Sequence, residues 1–445
     1  MRVQIFRTWN RLRYSFWFLP VVMATGVVAL AFTTVALDER ATDWLTLNWG
    51  WTFTGGAEGA SSLLGAIAGS MITIAGVVFS MTLVALSLAS SQLGFLLLRG
   101  FMRDTTTQVV LGTFVATFLY CLLVLRTIRR ADEDIFVPHL SVTLGVLFAV
   151  ASVGVFIYFI HHVSVYIQVN EIVTRVGKEL MGGIDRLFPE DIGRGESRVP
   201  TERPDAGFLD ALDRETRPVG ATEDGYIQFI NGDALMALAT QEDIIIRLER
   251  RPGHYVVAGK PLALVWPVSR ITDQIVDHVN SAFAMGSQRT SGQDIVCVVN
   301  QLVEIAVRAL SRGVNDPFTA VTCVDHLGSA MCRLVQRDIP SPFRHDSQDQ
   351  LRVISPVVTF PDVMDAAFNQ IRQYGCSSVA VTIRLLETIA VVAAFAHRPE
   401  DRAALLRHAK MIVRGAREGL PEDDDRQEVE NRFKSVNQVL SEYGG

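Results

Sequence analysis

The sequence predicts an α-helical integral membrane domain of four transmembrane helices, followed by a cytoplasmic α+β region with a small β-rich module and a helical C-terminal part. Four windows of the 445-residue chain contain no Asp, Glu, Lys or Arg: 14–37, 59–98, 105–125 and 135–160. Each window is long enough to supply the roughly 20 apolar residues that cross a hydrocarbon core. No comparable run follows residue 160, so we expect the rest of the chain to be soluble.

The distribution of Lys and Arg near the helix ends predicts that both termini lie in the cytoplasm. Basic residues precede the first helix, lie between the second and third, and follow the fourth: Arg2, Arg7, Arg11, Arg13, Arg99, Arg103, Arg175, Lys178 and Arg186. The segment between the first two helices has only Arg40 among four acidic residues. Arg126, Arg129 and Arg130 oppose this orientation, but three acidic residues closely follow them.

Composition and periodicity divide the chain into five segments. The four-helix domain covers 1–163, and residues 164–188 continue the apolar stripe of the fourth helix as an amphipathic extension. Residues 189–220, rich in Pro, Gly and charge, are typical of a linker. A barrel-like β module is predicted at 221–268 from strand-like GYIQFI and EDIIIRLE, helical GDALMALATQ and turn-rich RPGHYVVAGKPLALVW.

Residues 269–445 are predicted to be mainly helical. Helices are expected at about 271–286, 293–311, 317–337, 361–374, 376–396, 399–416 and 424–440, with one strand at RVISPVV.

Charge and motif content exclude several classes of function. Of 41 basic and 47 acidic residues, 10 and 8 lie in the first 134, which leaves 31 basic and 39 acidic residues beyond them. This net charge of −8 argues against a nucleic-acid partner. The five cysteines form no C-x-x-C pair and are expected to be free thiols. Because the chain has no G-x-S-x-G, H-E-x-x-H or Walker sequence, we expect no catalytic residues, no metal and no cofactor.

The second transmembrane segment carries a stripe of small and hydroxyl residues. In GSMITIAGVVFSMTLVALSLASS such residues recur every third or fourth position, which places them on one face of an α-helix. Only a valine interrupts the stripe, whose members are Gly69, Thr73, Gly76, Ser80, Val84, Ser87 and Ser91.

Two interpretations of this stripe remain open. Small residues let membrane helices approach closely, and Gly65 and Gly69 form a G-x-x-x-G pair, so the stripe is explained by helix packing. It is also explained by a pore, in which several copies of the helix surround an axis and a ring of Val84 gates it by dewetting. No charged residue lies on the stripe, so the sign of a permeant ion is not predicted.

A second motif lies in SGQDIVCVVNQLVEIAVRALSRGVNDPFTA. We interpret its GVNDPFTA segment as a helix boundary, where Gly313 ends one helix as a C′ residue, Asp316 caps the next helix and Pro317 occupies its first position. The alternative is a divalent-metal or ligand site that gathers side chains from this region: Asp294, Glu304, Asn315, Asp316, Asp325 and His326.

The motif resembles a bacterial family of membrane proteins known as domain of unknown function 2254. The resemblance rests on Arg289, Thr290, Asp294, "ALS" at 309–311, Asn315, Asp316, Pro317, Thr319 and Ala320, together with GYIQFI, PGHYVVAGKPL and FSMTLVALSLASSQ. It covers nearly the whole chain and departs at Arg312, where the family usually has proline. It implies the architecture above and a multi-pass location in the bacterial inner membrane, and it implies no particular activity.

Two functions are consistent with these features. The first is a homo-oligomeric ion channel or pore, lined by the stripe and controlled by the cytoplasmic region. The second is a membrane-anchored sensor or assembly scaffold without conduction. Membrane lipid is a partner in both functions, whereas a permeant ion is a partner only of the channel.

Overall fold

The computed structural model describes residues 17–48, 55–93, 104–129, 136–166, 168–188, 207 and 215–442. The chain divides into two compact units, Met1–Glu171 and Ile172–Gly445.

Four long helices form the first unit: α1 (Phe18–Asn48), α2 (Ala57–Leu93), α3 (Thr105–Thr127) and α4 (His139–Tyr166). All four are long and apolar enough to cross a membrane, which confirms the prediction of four such helices. Helix α3 packs against the other three. Its span is therefore 56% buried, whereas the spans of the other helices are 17–28% buried.

Polar contacts fasten this helical unit at both ends of α4. Asp38, near the end of the α1 span, accepts hydrogen bonds from the backbone N–H groups of Leu140 and Ser141, both at 2.9 Å. The first turn of α4 is thus capped by a carboxylate from another helix. Near the other end of α4, His162 Nε2 lies 2.9 Å from Oδ2 of Asp104, the residue that caps α3.

The apolar stripe that was predicted to extend the fourth helix lies on a helix of its own, α5 (Val169–Leu187). Helix α4 ends before it, at Tyr166. The boundary between the two units falls in the first turn of α5. Its buried face includes Ile172, Val176 and Leu180. Most of the predicted linker, 189–206 and 208–214, lies outside the described residues.

Two β-sheets follow. Their strands are β1 (Arg217–Gly220), β2 (Gly225–Ile230), β3 (Ile245–Leu248), β4 (Tyr255–Val256), β5 (Pro261–Trp266), β6 (Phe283–Gly286), β7 (Phe343–His345) and β8 (Leu351–Ile354). The larger sheet has the order β1-β5-β3-β8-β7 and the smaller the order β4-β2-β6. Helix α6 (Gly232–Gln241) connects β2 and β3. Strands from outside 221–268 therefore complete both sheets of the β-rich module.

One predicted helix is partly wrong. Residues 271–286 form α7 (Asp273–Ser281) and then the strand β6, rather than one helix. Strand β6 pairs antiparallel with β2, with Phe283 opposite Ile230 and Gly286 opposite Tyr226. The ladder hydrogen bonds and the burial of Phe283 outweigh the local helical pattern.

Six helices complete the second unit, close to the predicted positions: α8 (Ile295–Ala309), α9 (Pro317–Val335), α10 (Phe360–Gly375), α11 (Val379–Ala393), α12 (Pro399–Gly419) and α13 (Asp423–Glu442). Helix α5 is attached to them by charge. Asp185 accepts hydrogen bonds from Arg333 on α9 and, at 2.6 Å, from Arg337 directly after α9. The His326 ring of α9 packs directly against Gly177 of α5 and leaves no room for a Cβ atom there.

Candidate functional site

The small-residue stripe of α2 is exposed along the described part of its length. Gly69, Thr73, Gly76, Ser80, Val84 and Ser87 are all exposed, whereas the side chain of Ser91 lies outside the described residues. The buried face of α2 carries Leu64, Met71, Ala75 and Val78, which pack into the unit's apolar core. Since each residue turns a helix by roughly 100°, the stripe lies on the side opposite this buried face.

No other helix of the described chain packs on the stripe. A Cβ added at Gly65, Gly69 or Gly76 would meet no atom within 4 Å. The G-x-x-x-G pair therefore makes no close helix contact within one chain. Whatever covers the stripe comes from outside the described residues of a single chain.

Two serine hydroxyls on the stripe differ from the threonine hydroxyls of the same helix. Thr73 donates to the Gly69 carbonyl oxygen at 2.8 Å and Thr82 donates to that of Val78 at 2.7 Å, the usual arrangement in an apolar helix. Ser80 and Ser87 have no hydrogen-bond partner within the described chain. A hydroxyl surrounded by hydrocarbon without a partner is unfavourable, so these groups favour water, a polar group of a second chain or a rotamer that returns the hydroxyl to the helix backbone.

The second candidate region centres on the ion pair between Arg289 and Asp294. Arg289 donates from Nε and Nη2 to the same oxygen of Asp294, Oδ2, at 2.8 and 2.7 Å. The other oxygen, Oδ1, accepts the N–H of Cys297 at 3.2 Å and so caps α8. Asp294 is only 4% exposed, so its charge depends on Arg289 for compensation.

Thr290 and two glutamines join this region to β2. Thr290 Oγ1 donates to the carbonyl oxygen of Gln228 at 3.1 Å. Gln293 binds both backbone groups of Ile230, accepting its N–H at 2.8 Å and donating to its carbonyl oxygen at 3.1 Å. Sequence reasoning selected Arg289, Thr290 and Asp294 but missed both glutamines, because no local pattern indicates partners some 60 residues away. These hydrogen bonds hold the segment before α8 against strand β2, which is a structural role; we call this arrangement the clamp.

His254 lies near this ion pair, in the loop between β3 and β4. Burial lowers the pKa of His254, and the nearby guanidinium groups of Arg251 and Arg250 lower it further. Its Nε2 accepts a hydrogen bond from Nε of Arg251 at 3.2 Å, and its Nδ1 is buried without a partner. A neutral imidazole suits this cationic environment.

The Asn315-Asp316-Pro317 segment lies at a helix boundary, as predicted. Asp316 caps α9 by accepting the N–H of Thr319 at 3.1 Å and its hydroxyl at 2.6 Å, and Pro317 opens the helix. The prediction that Gly313 ends the preceding helix as a C′ residue is wrong. The left-handed residue is Asn315, with φ +50°, a conformation that asparagine adopts more readily than most residues.

The alternative metal site does not assemble from the predicted side chains. Asp294 binds Arg289 and Asp325 binds Arg384 at 3.3 Å, while His326 packs against α5. Across the described residues, no group of three or more His, Cys, Asp or Glu side chains is arranged to hold a metal ion. The absence of a metal from the protein's function stays a prediction.

Comparison with known proteins agrees with this architecture. A family described as predicted membrane protein (DUF2254) matches residues 13–391. The uncharacterized proteins Mb1321c of Mycobacterium bovis and Rv1290c of Mycobacterium tuberculosis are each 32% identical over 402 residues, which cover 88% of this chain and 75% of theirs. No solved structure matches. The chain belongs to the DUF2254 family of predicted membrane proteins.

Proposed function

We propose that this protein is a homo-oligomeric channel of the bacterial inner membrane, lined by the stripe of α2 and controlled by the region that follows α4. The proposal includes no enzymatic step. Its main support is that the stripe, including the unpartnered hydroxyls of Ser80 and Ser87, faces away from the rest of its own chain. Several copies around an axis would give the stripe neighbouring helices and a hydrated surface.

Val84 gives the proposed pore a gate. It is 66% exposed and follows Ser80 by one helical turn, on the same face. A ring of valines, one from each copy, would form an apolar constriction between hydroxyl-lined segments. Such constrictions exclude water, and therefore ions, without a mechanical plug.

The orientation in the proposal places both termini in the cytoplasm. Reporter fusions after residue 130 should then be active in the periplasm, and fusions after residue 190 in the cytoplasm. Cytoplasmic signal from both positions would contradict a fourth membrane crossing between them.

Cysteine labelling tests whether the stripe is hydrated. Cysteines replacing Thr73, Ser80 and Ser87 should react with a small water-soluble thiol reagent, because the thiolate that reacts forms only in water. Cysteines replacing Val78, on the buried face, and Phe79, exposed on another side of the helix, serve as matched controls and should stay unreactive.

The background must first lose its accessible thiols. Cys332 and Cys376 are half-buried, and both should be replaced together with Cys121 of the helical unit. Cys323 can remain, because burial raises the pKa of its thiol to about 12. Unreactive cysteines at all three stripe positions, with no ion flux from liposomes that contain only this protein, would refute the channel and leave the sensor or scaffold.

A further inference from the structure

A cavity of about 450 Å³ lies within the second unit, remote in sequence from the α2 stripe. Its walls come from the end of α5, the start of α6, the end of β3, the start of α8 and the chain around β7 and β8. Most of the lining is apolar and includes Phe188, Leu235, Leu248, Ile295, Val353 and Val357. A cavity of this size and composition is typical of a site for a small organic molecule.

Two arginines stand on this apolar wall, Arg251 and Arg344. The backbone of Arg344 belongs to the β7–β8 ladder, but its guanidinium has no ion pair or hydrogen bond within the described chain. Desolvation by the surrounding protein lowers the pKa of its guanidinium, and no carboxylate offsets that effect. Arg344 is nevertheless exposed, so its guanidinium stays partly solvated, and no carboxylate competes with an incoming anion for it.

Arg251 is only weakly neutralised. Its Nη1 lies 3.6 Å from Oδ2 of Asp362, and that oxygen already accepts the N–H of Thr359 in a capping box. Among the residues that line the cavity, Asp233 is the one carboxylate, and it is exposed in the first turn of α6. Two guanidinium groups against one exposed carboxylate leave the cavity with a net positive charge.

We propose that this cavity binds a small amphipathic anion, with the apolar part against the Leu235–Leu248–Val353 wall and a carboxylate or phosphate group on Arg344 and Arg251. Guanidinium groups bind both kinds of anion through charge-assisted hydrogen bonds. The apolar wall would exclude fully hydrated inorganic anions, which gain nothing from it. The site does not depend on whether the helical unit conducts ions.

The test uses the full-length protein in phosphatidylcholine nanodiscs, with empty nanodiscs as reference. The probe is 1-naphthyl phosphate, whose fluorescence anisotropy reports binding. We expect saturable binding of one probe per chain, with no competition from inorganic phosphate at the same concentration. The matched cation, 1-naphthylmethylammonium, should not bind at this site.

Substitutions locate the binding. Arg344→Ala should weaken it roughly tenfold or more, as expected for a lost charge-assisted hydrogen bond. The guanidinium of Arg344 makes no ion pair or hydrogen bond within the described chain, and the substitution keeps the backbone pairing with Val353, so this change should leave the fold intact. Met236→Trp should also weaken binding, because the larger ring fills the cavity that Met236 lines. Arg312→Ala removes an equal charge from an exposed turn outside the cavity and should change nothing.

Nanodiscs that also contain phosphatidylglycerol distinguish the source of the anion. Competition by this lipid would support the site and identify anionic lipid as an occupant, and unchanged affinity would support a soluble anion. No saturable binding in the full-length protein would overturn the proposal, as would binding that Arg344→Ala leaves unchanged. Binding that appears only after deletion of 190–206 would also overturn it, since that segment would then be the occupant.

Discussion

Gly253 lies directly against the carboxylate of Asp294. A Cβ at position 253 would stand 2.1 Å from Oδ2 of Asp294 and 3.1 Å from Nη2 of Arg289. The backbone of Gly253 has φ +91°, and its N–H donates to the carbonyl oxygen of Ile227 at 2.8 Å. The loop before β4 can therefore approach the N-terminus of α8 only because residue 253 has no side chain.

We predict that Gly253→Ala lowers the free energy of unfolding of the second unit by roughly 2–4 kcal/mol. The methyl group adds backbone strain and displaces the Asp294 carboxylate from Arg289. Gly259→Ala is the matched control, since Gly259 also has positive φ but has no atom within 4 Å of a Cβ position. Gly259→Ala should lower the free energy of unfolding only by the backbone strain, about 1–2 kcal/mol. Urea-dependent pulse proteolysis of the full-length chain measures the free energy of unfolding of both variants. Equal losses of stability would show that the close approach of residue 253 to Asp294 is unimportant.

The helix start in the family motif was predictable from the sequence, whereas the contacts that the motif makes with distant strands were not. Asp316 and Pro317 follow rules of helix starts that operate within four residues, so spacing alone identified them. The clamp of Gln293 on Ile230 crosses 63 residues. No periodicity encodes such a contact, and the chain must fold before it exists.

Asp316→Ala should reduce stability by roughly 0.5–2 kcal/mol through the lost cap of α9. Asp316→Asn keeps an acceptor and should cost less. Hydrogen bonds from Thr319 hold the pKa of Asp316 below its usual range. The cap's ionic contribution is therefore complete above about pH 3.8 and is lost as the pH falls through the folded-state pKa.

Calorimetry with Mg²⁺ or Ca²⁺ on the same Asp316→Ala protein tests the alternative role of the motif. A structural cap predicts no change in cation binding. If a bound cation disappeared while stability stayed the same, the motif would be a ligand site after all.

Asp38→Ala should destabilise the helical unit by roughly 2–3 kcal/mol, because two N–H groups of α4 lose a charged acceptor. The neighbouring Glu39 is exposed, so Glu39→Ala should have almost no effect. The thermal unfolding midpoint in nanodiscs compares the two variants. Similar midpoints for both would mean that Asp38 does not cap α4. From the sequence, Asp38 counted only as one acidic residue outside the membrane, since its partners lie 102 and 103 residues away.

The error at β6 has a comparable origin. The sequence VDHVNSAFAM contains no proline or glycine that would end a helix, and local pattern alone extends α7 through it. The chain leaves the helix after Ser281 because β2 offers an antiparallel edge. Short strands that complete a distant edge are therefore the elements most easily missed.

His408 should make the stability of the second unit depend on pH. Its side chain is fully buried, and Nε2 lies 2.7 Å from Oδ1 of Asp365. Burial lowers the pKa of His408; Asp365 raises it, and Arg407 and Arg372 lower it. Since the pKa in the folded state is below that in the unfolded state, the unfolded chain takes up the proton first, and stability falls as the pH drops below about 6.5.

The slope of that loss should not exceed about 1.4 kcal/mol per pH unit for this one group. His408→Phe should flatten the pH profile between about pH 5 and 6.5, at some cost in absolute stability. The exposed His397 provides the control, because His397→Gln should retain the slope. Pulse proteolysis across this pH range measures all three proteins, and a wild-type profile without a slope would contradict a buried neutral imidazole.

Val84→Ser tests the proposed gate. In an oligomeric pore the substitution adds one hydroxyl per copy to the constriction, which lowers the dewetting barrier, so basal conductance in planar bilayers should rise. Met81→Ser is the matched control: Met81 is 47% exposed on the same helix but lies away from the stripe, so the same added hydroxyl should leave conductance unchanged. If α2 only packs against a second copy, both serines perturb a contact and neither carries current. Bilayers that stay silent with Val84→Ser, or that respond equally to Met81→Ser, would therefore remove Val84 as the gate.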